Sequence, residues 1–200
     1  MSDRLVMLTD FELRVWDLAQ KKPIVSEKWV DSREATLAVS RSGKRVLLGF
    51  GGKLGPVAGW SEVWDIERGT MIKRLKGQDD YTIGVGFGPE DKWLLTSTWS
   101  GAVYRWNKDG TTFQKLLDVG QRINGLSLHP NGDRIALAQS NGTPKIIWLD
   151  GGRTISPIGH VHEVNHVQFT ADGKHLASGG DDGTIRLWNA DTGKPIWNAV

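Results

Sequence analysis

Hydrophobic residues along this chain occur in short alternating segments that are separated by turn residues. Near the end of the chain, Ile185 and Leu187 alternate with Thr184 and Arg186, directly after the turn Asp182-Gly183. Alternation with a period of two is typical of half-buried strands, and an Asp-Gly pair supplies the conformations of a tight hairpin. The pattern therefore predicts an all-β chain of many short strands.

A tryptophan closes each of five successive copies of this strand pattern. The intervals between these tryptophans are 48, 42, 42 and 40 residues, and the residues are Trp16, Trp64, Trp106, Trp148 and Trp188. A period near 40 residues with a closing Trp-Asp is typical of the blades of a β-propeller, in which stacked sheets form one continuous body. The chain is therefore predicted to be a single propeller domain or a propeller segment, over residues 1–200, with about five blades at 1–30, 31–76, 77–118, 119–159 and 160–200.

The first copy is predicted to lack the innermost of the four strands, so that nineteen strands are expected in all. A propeller removes exposed strand edges by closing into a ring, and a first blade without its inner strand leaves one edge unpaired. Three explanations are open. The chain is an incomplete ring that belongs to a larger propeller, or it completes its ring with a partner chain or a second copy, or it closes unaided as a distorted ring of five blades.

Charge and composition indicate which classes of binding partner are expected for this chain. The 25 basic and 23 acidic residues are interspersed and give a net charge of +2, so the whole chain has no electrostatic footprint for nucleic acid. No apolar run is long enough to span a bilayer, and the start of the chain lacks the apolar stretch of a signal peptide. The absence of cysteine excludes disulfides and is compatible with a reducing compartment. We expect a cytoplasmic protein without membrane or nucleic-acid partners.

The glycine-rich insertion Gly51–Gly59 invites comparison with a phosphate-binding loop. That motif requires Gly-x-x-x-x-Gly-Lys-Ser/Thr leading into a helix, and neither the spacing nor a helix is present. We interpret the segment as a surface loop that lengthens a hairpin of the second copy, and we predict no cofactor.

The last copy resembles the WD-repeat β-propeller family. The resemblance rests on Gly159-His160, on the turn Asp172-Gly173-Lys174 and on the run from Ser178 to Asn189, and weaker copies extend it over essentially the whole chain. In that family a His, a Ser or Thr, an Asp and the closing Trp form a buried hydrogen-bond network. The resemblance implies a structural tetrad of His160, Ser178, Asp182 and Trp188.

Other copies depart from this tetrad. The third copy has Gln78, Thr96, Ser100 and Trp106 in register, which predicts a partial network. The fourth copy has Leu137 and Asn141 at the Ser and Asp positions, and the second has Leu48 at the Ser position. We expect the second and fourth copies to rely on apolar packing.

Two catalytic or metal-binding alternatives start from the same residues. A Ser, a His and an Asp suggest a hydrolase, but a catalytic triad needs an exposed Ser beside an oxyanion hole, and Ser178 is expected inside a strand. Three imidazoles, His160, His162 and His166, could hold zinc. The tetrad role of His160 and the different orientations expected of the other two argue against this, so no metal site is predicted.

Partner contacts in propellers are expected on a ring face near the central channel, where loops from every blade converge. Three sets of positions share this location in each copy. They are the residue that enters the first strand, the residue two positions after it, and the turn that follows the second strand. Aromatic and Arg side chains there are typical of binding hot spots. The predicted partner-binding residues are Arg33, Tyr81, Trp99, Arg122, Asn124, Glu163, Asn165 and Asp181.

The favoured hypothesis is a non-catalytic scaffold or docking module that binds a protein or peptide. The alternatives are a propeller-based enzyme, either a hydrolase or an oxidoreductase, and a purely structural or engineered repeat array. Self-association, or missing blades that complete the ring, stays open.

Overall fold

The computed structural model describes residues 4–9, 12–28, 34–51 and 59–199. The predicted contact residue Arg33 and most of the insertion Gly51–Gly59 lie outside the described residues. Within them the chain forms nineteen β-strands and one 3-10 turn, Pro89–Asp91. No helix in this part of the chain is long and apolar enough to cross a bilayer.

The strands form five antiparallel sheets, which follow one another in chain order. Sheet 1 has three strands in the order β1-β2-β3: β1 (Arg4–Thr9), β2 (Glu12–Asp17) and β3 (Lys22–Lys28). Sheet 2 has the order β4-β5-β6-β7: β4 (Glu34–Val39), β5 (Arg45–Gly51), β6 (Trp60–Asp65) and β7 (Thr70–Leu75). Sheet 3 has the order β8-β9-β10-β11: β8 (Thr82–Phe87), β9 (Trp93–Thr98), β10 (Ala102–Asn107) and β11 (Phe113–Asp118).

The last two sheets repeat the four-stranded plan. Sheet 4 has the order β12-β13-β14-β15: β12 (Ile123–Leu128), β13 (Arg134–Gln139), β14 (Lys145–Trp148) and β15 (Thr154–Ile155). Sheet 5 has the order β16-β17-β18-β19: β16 (Val164–Phe169), β17 (His175–Gly180), β18 (Ile185–Asn189) and β19 (Pro195–Ala199). The prediction of blade-like sheets, with a first sheet of only three strands among the described residues, is confirmed.

The run Arg153–Ile158 predicts an outer strand of six residues, but only Thr154–Ile155 pairs with β14. Pro157 has no backbone N–H to donate to a ladder, so it interrupts the pairing with β14. The outer strand of sheet 4 is therefore the shortest strand in the described residues.

The turns between the first two strands of each sheet position the strands that carry the candidate sites. In sheets 2, 4 and 5 a glycine takes the left-handed conformation, for example Gly43 with φ of 69°. In sheet 3 two non-glycine residues, Glu90 and Asp91, have φ of 53° and 55°. The Asp91 carboxylate accepts hydrogen bonds from Arg41 N (3.1 Å) and Ser42 Oγ (2.8 Å) of sheet 2, and these contacts oppose the strain of its backbone.

The chain divides into two compact units, residues 1–98 with 104–114, and residues 99–103 with 115–200. In the first unit, Leu13, Val15 and Val25 of sheet 1 pack in one apolar cluster with sheet 2 residues such as Phe50 and Trp64.

The second unit is built in the same way. Ala136 and Ala138 of sheet 4 pack with Val167, Phe169 and Trp188 of sheet 5. In each unit the apolar face of one sheet is covered by the closing Trp and the inner strands of the sheet that follows it.

Candidate interaction surface

The four residues of the sheet 5 tetrad form a continuous hydrogen-bond chain. Trp188 Nε1 donates to Ser178 Oγ (2.8 Å), and the Ser178 hydroxyl donates to His160 Nε2 (2.7 Å). His160 Nδ1 lies 2.9 Å from Asp182 Oδ2, and because a carboxylate only accepts, the imidazole proton sits on Nδ1. The chain joins the segment before β16, the strand β17, the turn after it and the strand β18.

Hydrogen bonds keep Asp182 ionised although its side chain is buried. Burial alone raises the pKa of this carboxyl, but hydrogen bonds from Thr184 and His160, and from the backbone N–H groups of Thr184 and Val161, lower the pKa well below its ordinary value. Thr184 Oγ1 donates at 2.7 Å and Thr184 N at 3.0 Å. The carboxylate is therefore a satisfied acceptor inside the protein.

The order Ser178, His160, Asp182 has the connectivity of a catalytic triad but not its accessibility. Ser178 is 2% exposed, and its oxygen already accepts the hydrogen bond from Trp188. A nucleophile needs an open approach for its substrate and donors for an oxyanion beside it. The geometry at Ser178 is that of a structural network.

The residues considered for zinc are not gathered around one point. Both ring nitrogens of His160 are engaged in the tetrad, and His162 and His166 are exposed. Among the described residues, no group of three or more His, Cys, Asp or Glu side chains is placed to hold a metal ion.

Sheet 3 contains a second network around its closing tryptophan. Trp106 Nε1 donates to Thr96 Oγ1 (3.0 Å), which also accepts a hydrogen bond from Gln78 Nε2 (2.5 Å). Gln78 Oε1 in turn accepts from Thr82 Oγ1 at 2.8 Å. Gln78 thus takes the place of the His, and Thr96 takes the place of the Ser.

The expectation that sheet 2 relies on apolar packing alone was wrong. Trp64 Nε1 donates to Glu62 Oε2 (2.9 Å), a carboxylate that is almost fully buried on the same strand. Arg74 on the neighbouring strand β7 donates through Nε (2.9 Å) and Nη2 (2.7 Å) to Glu62 Oε1. A carboxylate held by a guanidinium therefore satisfies the indole N–H in the absence of a Ser or a His.

Sequence reasoning missed this pair, although the sequence contains a signal for it. Glu62 lies directly opposite Arg74 in the β6–β7 register. Opposite charges at facing positions of two predicted strands favour a cross-strand ion pair. The carboxylate also stands two residues before Trp64, where it can reach the indole of the same strand face.

Among the residues that the structure describes, sheet 4 has no equivalent network around its tryptophan. The Trp148 ring lies between the guanidinium groups of Arg134 and Arg153, each 4.8 Å from its centroid. Gln139 pairs with the first residue of the inner strand, as Gly180 does in sheet 5. Both polar atoms of its buried side chain lack a hydrogen-bond partner in the described residues.

Six of the eight predicted contact residues lie in the second unit and form two connected groups. Arg122 is ion-paired with Glu163, and its guanidinium lies 5.4 Å from the ring centroid of Trp99. Asn124 Nδ2 donates to Val164 O (3.0 Å) and to Glu163 Oε2 (3.3 Å). This set of residues, Trp99, Arg122, Asn124 and Glu163, is called the Trp99 cluster below.

Asn165 and Asp181 form the second group, through a hydrogen bond from Asn165 Nδ2 to Asp181 Oδ1. Asp181 N also donates to Glu163 O (2.9 Å), which connects this group to the Trp99 cluster. The eighth residue in the set, Tyr81, is half-buried in the first unit, where its backbone N–H binds Asp80 Oδ1 (2.7 Å).

The Trp99 cluster combines rigidity with exposure. Trp99 is 43% exposed, although its backbone is bound to the next inner strand through a hydrogen bond from Ile123 N to Trp99 O. Arg122 is held between the indole and the carboxylate, and its carbonyl accepts a hydrogen bond from Ser140 N (3.2 Å). An accessible aromatic surface on ordered side chains loses little conformational entropy when a partner binds.

Comparison with known proteins agrees with the repeat pattern. The family model described as WD domain, G-beta repeat matches residues 152–189. The chain is 28% identical over 135 residues to WD repeat-containing protein SL1-17 of Schistosoma mansoni, which covers 67% of this chain and 45% of the relative.

Two further relatives show the same relationship. Identity is 26% over 175 residues with apoptotic protease-activating factor 1 of Mus musculus, covering 68% of this chain and 14% of that protein. It is 28% over 141 residues with serine-threonine kinase receptor-associated protein of Gallus gallus, covering 69% and 40%. The chain spans less than half the length of each of these relatives. Together with the five blade-like sheets, these matches show a WD repeat at residues 152–189 and a similarity to WD-repeat proteins over about two thirds of the chain.

Proposed function

We propose that this chain is a non-catalytic docking module that binds a protein or peptide partner through the Trp99 cluster. WD-repeat proteins in general are interaction scaffolds, and the exposed indole of Trp99 beside the ordered Arg122–Glu163 pair is the observation that carries the proposal. Tryptophan and arginine are the residue types that contribute most to binding hot spots. Asn165 and Asp181 extend the surface with polar groups that suit its rim.

The proposal includes a cytoplasmic location, with which a chain that has no cysteine is compatible. Its partner class is protein rather than nucleic acid, because basic and acidic side chains are nearly balanced over the chain.

Affinity capture with quantitative mass spectrometry tests the proposal. The double variant Trp99→Ala, Arg122→Ala is expected to lose the partners that the parent protein retains, while its thermal midpoint stays close to that of the parent because both side chains are partly exposed. Trp197→Ala, which removes an exposed indole on β19, is the matched control and is expected to retain them. If the double variant captures the same partners in the same amounts, the Trp99 cluster is not the contact site.

A further inference from the structure

A groove of about 520 Å³ opens in the first unit between sheet 2 and the turn that follows β10. Val63 of β6 and Ile72 of β7 form its apolar part. The remaining lining residues are polar or charged: Arg45, Lys73, Lys92, Asn107, Lys108 and Asp109. The groove lies outside the Trp99 cluster, and its four cationic side chains face a single lining carboxylate.

Two of these cations have no partner of their own. The Arg45 guanidinium donates to the carbonyl oxygens of Lys108 (3.3 Å) and Asp91 (3.2 Å), and Lys92 is paired with Glu90 in a solvent-exposed contact. Among the described residues, neither the Lys73 nor the Lys108 ammonium lies within ion-pairing distance of a carboxylate. An unpaired ammonium beside an apolar floor favours a ligand that carries both an anion and an apolar group.

The pKa of the lone carboxylate, Asp109, is lowered mainly by hydrogen bonds from Thr111 and also by the charge of Lys73. Asp109 Oδ1 is turned toward its own loop, where it accepts hydrogen bonds from Thr111 Oγ1 (2.7 Å) and Thr111 N (3.2 Å). The pair Lys92–Glu90 is exposed on both sides and is therefore weak in water. Four cationic side chains thus face one carboxylate in the lining of the groove.

The strand β7 supplies Ile72 and Lys73 to the lining of the groove, beside Arg45 of β5 and Val63 of β6. β7 is the last strand in the order of sheet 2, so its outer N–H and C=O groups have no partner strand among the described residues. Such an edge is a template for an added strand. Lys73 pairs with Val63 in the β6–β7 register, so the two side chains lie on the same face of the sheet.

We propose that this groove binds an extended acidic peptide segment of a partner protein, which adds as a strand to β7 and places carboxylates against Lys73 and Lys108. Successive side chains of an added strand point to opposite faces, so carboxylates at alternate positions would meet the lysines. The site goes beyond the docking surface at Trp99 and shares no residue with it.

Binding of an array of fluorescent ten-residue peptides, in which Asp or Glu alternates with Val, Ile, Leu, Thr or Tyr, tests the proposal. We expect saturable binding to the intact chain, and an affinity lower by about tenfold in Lys73→Glu, Lys108→Glu. The matched control is Lys174→Glu, Lys194→Glu, which reverses two exposed lysines of sheet 5 and is expected to bind like the parent. Circular dichroism and thermal melting verify that all variants are folded.

A second arm separates strand addition from charge attraction. The best peptide is remade with N-methyl groups on alternate residues, which removes the donors of one strand edge and leaves the charges unchanged. Binding is expected to be lost for one of the two methylation registers. The proposal is overturned if no peptide binds, if both registers bind like the parent peptide, or if the sheet 5 control loses as much affinity as the groove variant. It is also overturned if vesicles containing phosphatidylserine bind through Lys73 and Lys108 while the peptides do not.

Discussion

Sheets 5 and 2 place a tryptophan at the same point of the third strand, but they satisfy its indole N–H in different ways. In sheet 5, Trp188 donates to Ser178, and the chain of hydrogen bonds continues through His160 to Asp182. In sheet 2, Trp64 donates directly to Glu62, which Arg74 holds from the neighbouring strand. A buried donor has to be paired in either case, since an unpaired one costs the full desolvation penalty of the group.

The two networks connect different strands of their sheets. The sheet 5 network joins the connection before the inner strand to the second and third strands, so it orders the inner half of the sheet. The sheet 2 network joins β6 to β7, which are the two outer strands. Pairing of the buried indole N–H thus stabilises the inner half of sheet 5 and the outer half of sheet 2. Mutations in each network should therefore have separate effects.

The largest effect is expected for Glu62→Ala in sheet 2. The substitution leaves the Trp64 N–H without an acceptor and Arg74 without its carboxylate. Breaking a buried ion pair costs several kcal/mol, but the Arg74 side chain is 49% exposed, so we expect a loss of about 2–3 kcal/mol in the free energy of unfolding. Urea denaturation measures the loss, and the control Glu67→Ala removes an exposed carboxylate of the same sheet. Equal losses in the two variants would contradict a network role for Glu62.

His160→Ala tests the other side of the comparison. The substitution leaves the Ser178 hydroxyl and the Asp182 carboxylate without their shared partner, and we expect a loss of about 2 kcal/mol in the free energy of unfolding. His162 lies two residues away in the same connection but is exposed, so His162→Ala should change stability very little. A parent-like unfolding midpoint for His160→Ala would show that the chain of hydrogen bonds adds no stability.

Acidification is expected to weaken sheet 5 through Asp182. Its pKa is lower in the folded protein than in the unfolded chain, so the unfolded state binds the extra proton first as the pH falls. The stabilisation is therefore complete well above the ordinary Asp pKa of about 3.9 and is lost progressively below it. The difference in stability between the parent and Asp182→Asn should be largest near about pH 6 and shrink toward about pH 3. A difference that does not change with pH would exclude an ionised Asp182 as the source of stability.

Strand positions could be predicted from the sequence because turn residues and the closing tryptophans recur at regular intervals. The turn residues around Trp93–Thr98 and Arg134–Gln139 predict strands with these bounds, and β9 and β13 have them. β15 was predicted too long because the alternating pattern continues to Ile158, whereas Pro157 interrupts the hydrogen-bond ladder.

The networks could be predicted only where a family pattern names their members. His160 and Asp182 are 22 residues apart, and only the resemblance to the family predicts their contact. Gln78 and Thr96 are predicted because they occupy the equivalent positions of the third copy. The Glu62–Arg74 pair depends on the β6–β7 register, which shifts by one residue between Val63 and Trp64.

Alternation alone does not locate a shift of this kind, and a slip of one residue moves every later side chain to the other face of the sheet. The ion pair of Arg122 and Glu163 could not be predicted from the sequence either. It joins residues that are 41 positions apart and lie directly before the inner strands of different sheets.

The smallest effect, and the only one of opposite sign, is expected in sheet 4, which has neither network. Gln139 is fully buried, and neither its amide nitrogen nor its oxygen has a partner among the described residues. Methionine has a similar length and no strong hydrogen-bonding group, so Gln139→Met should raise the free energy of unfolding by about 1 kcal/mol. Gln121→Met, at an exposed position of the same unit, is the control and should be close to neutral. A loss of stability in Gln139→Met would mean that this amide is paired through an ordered water.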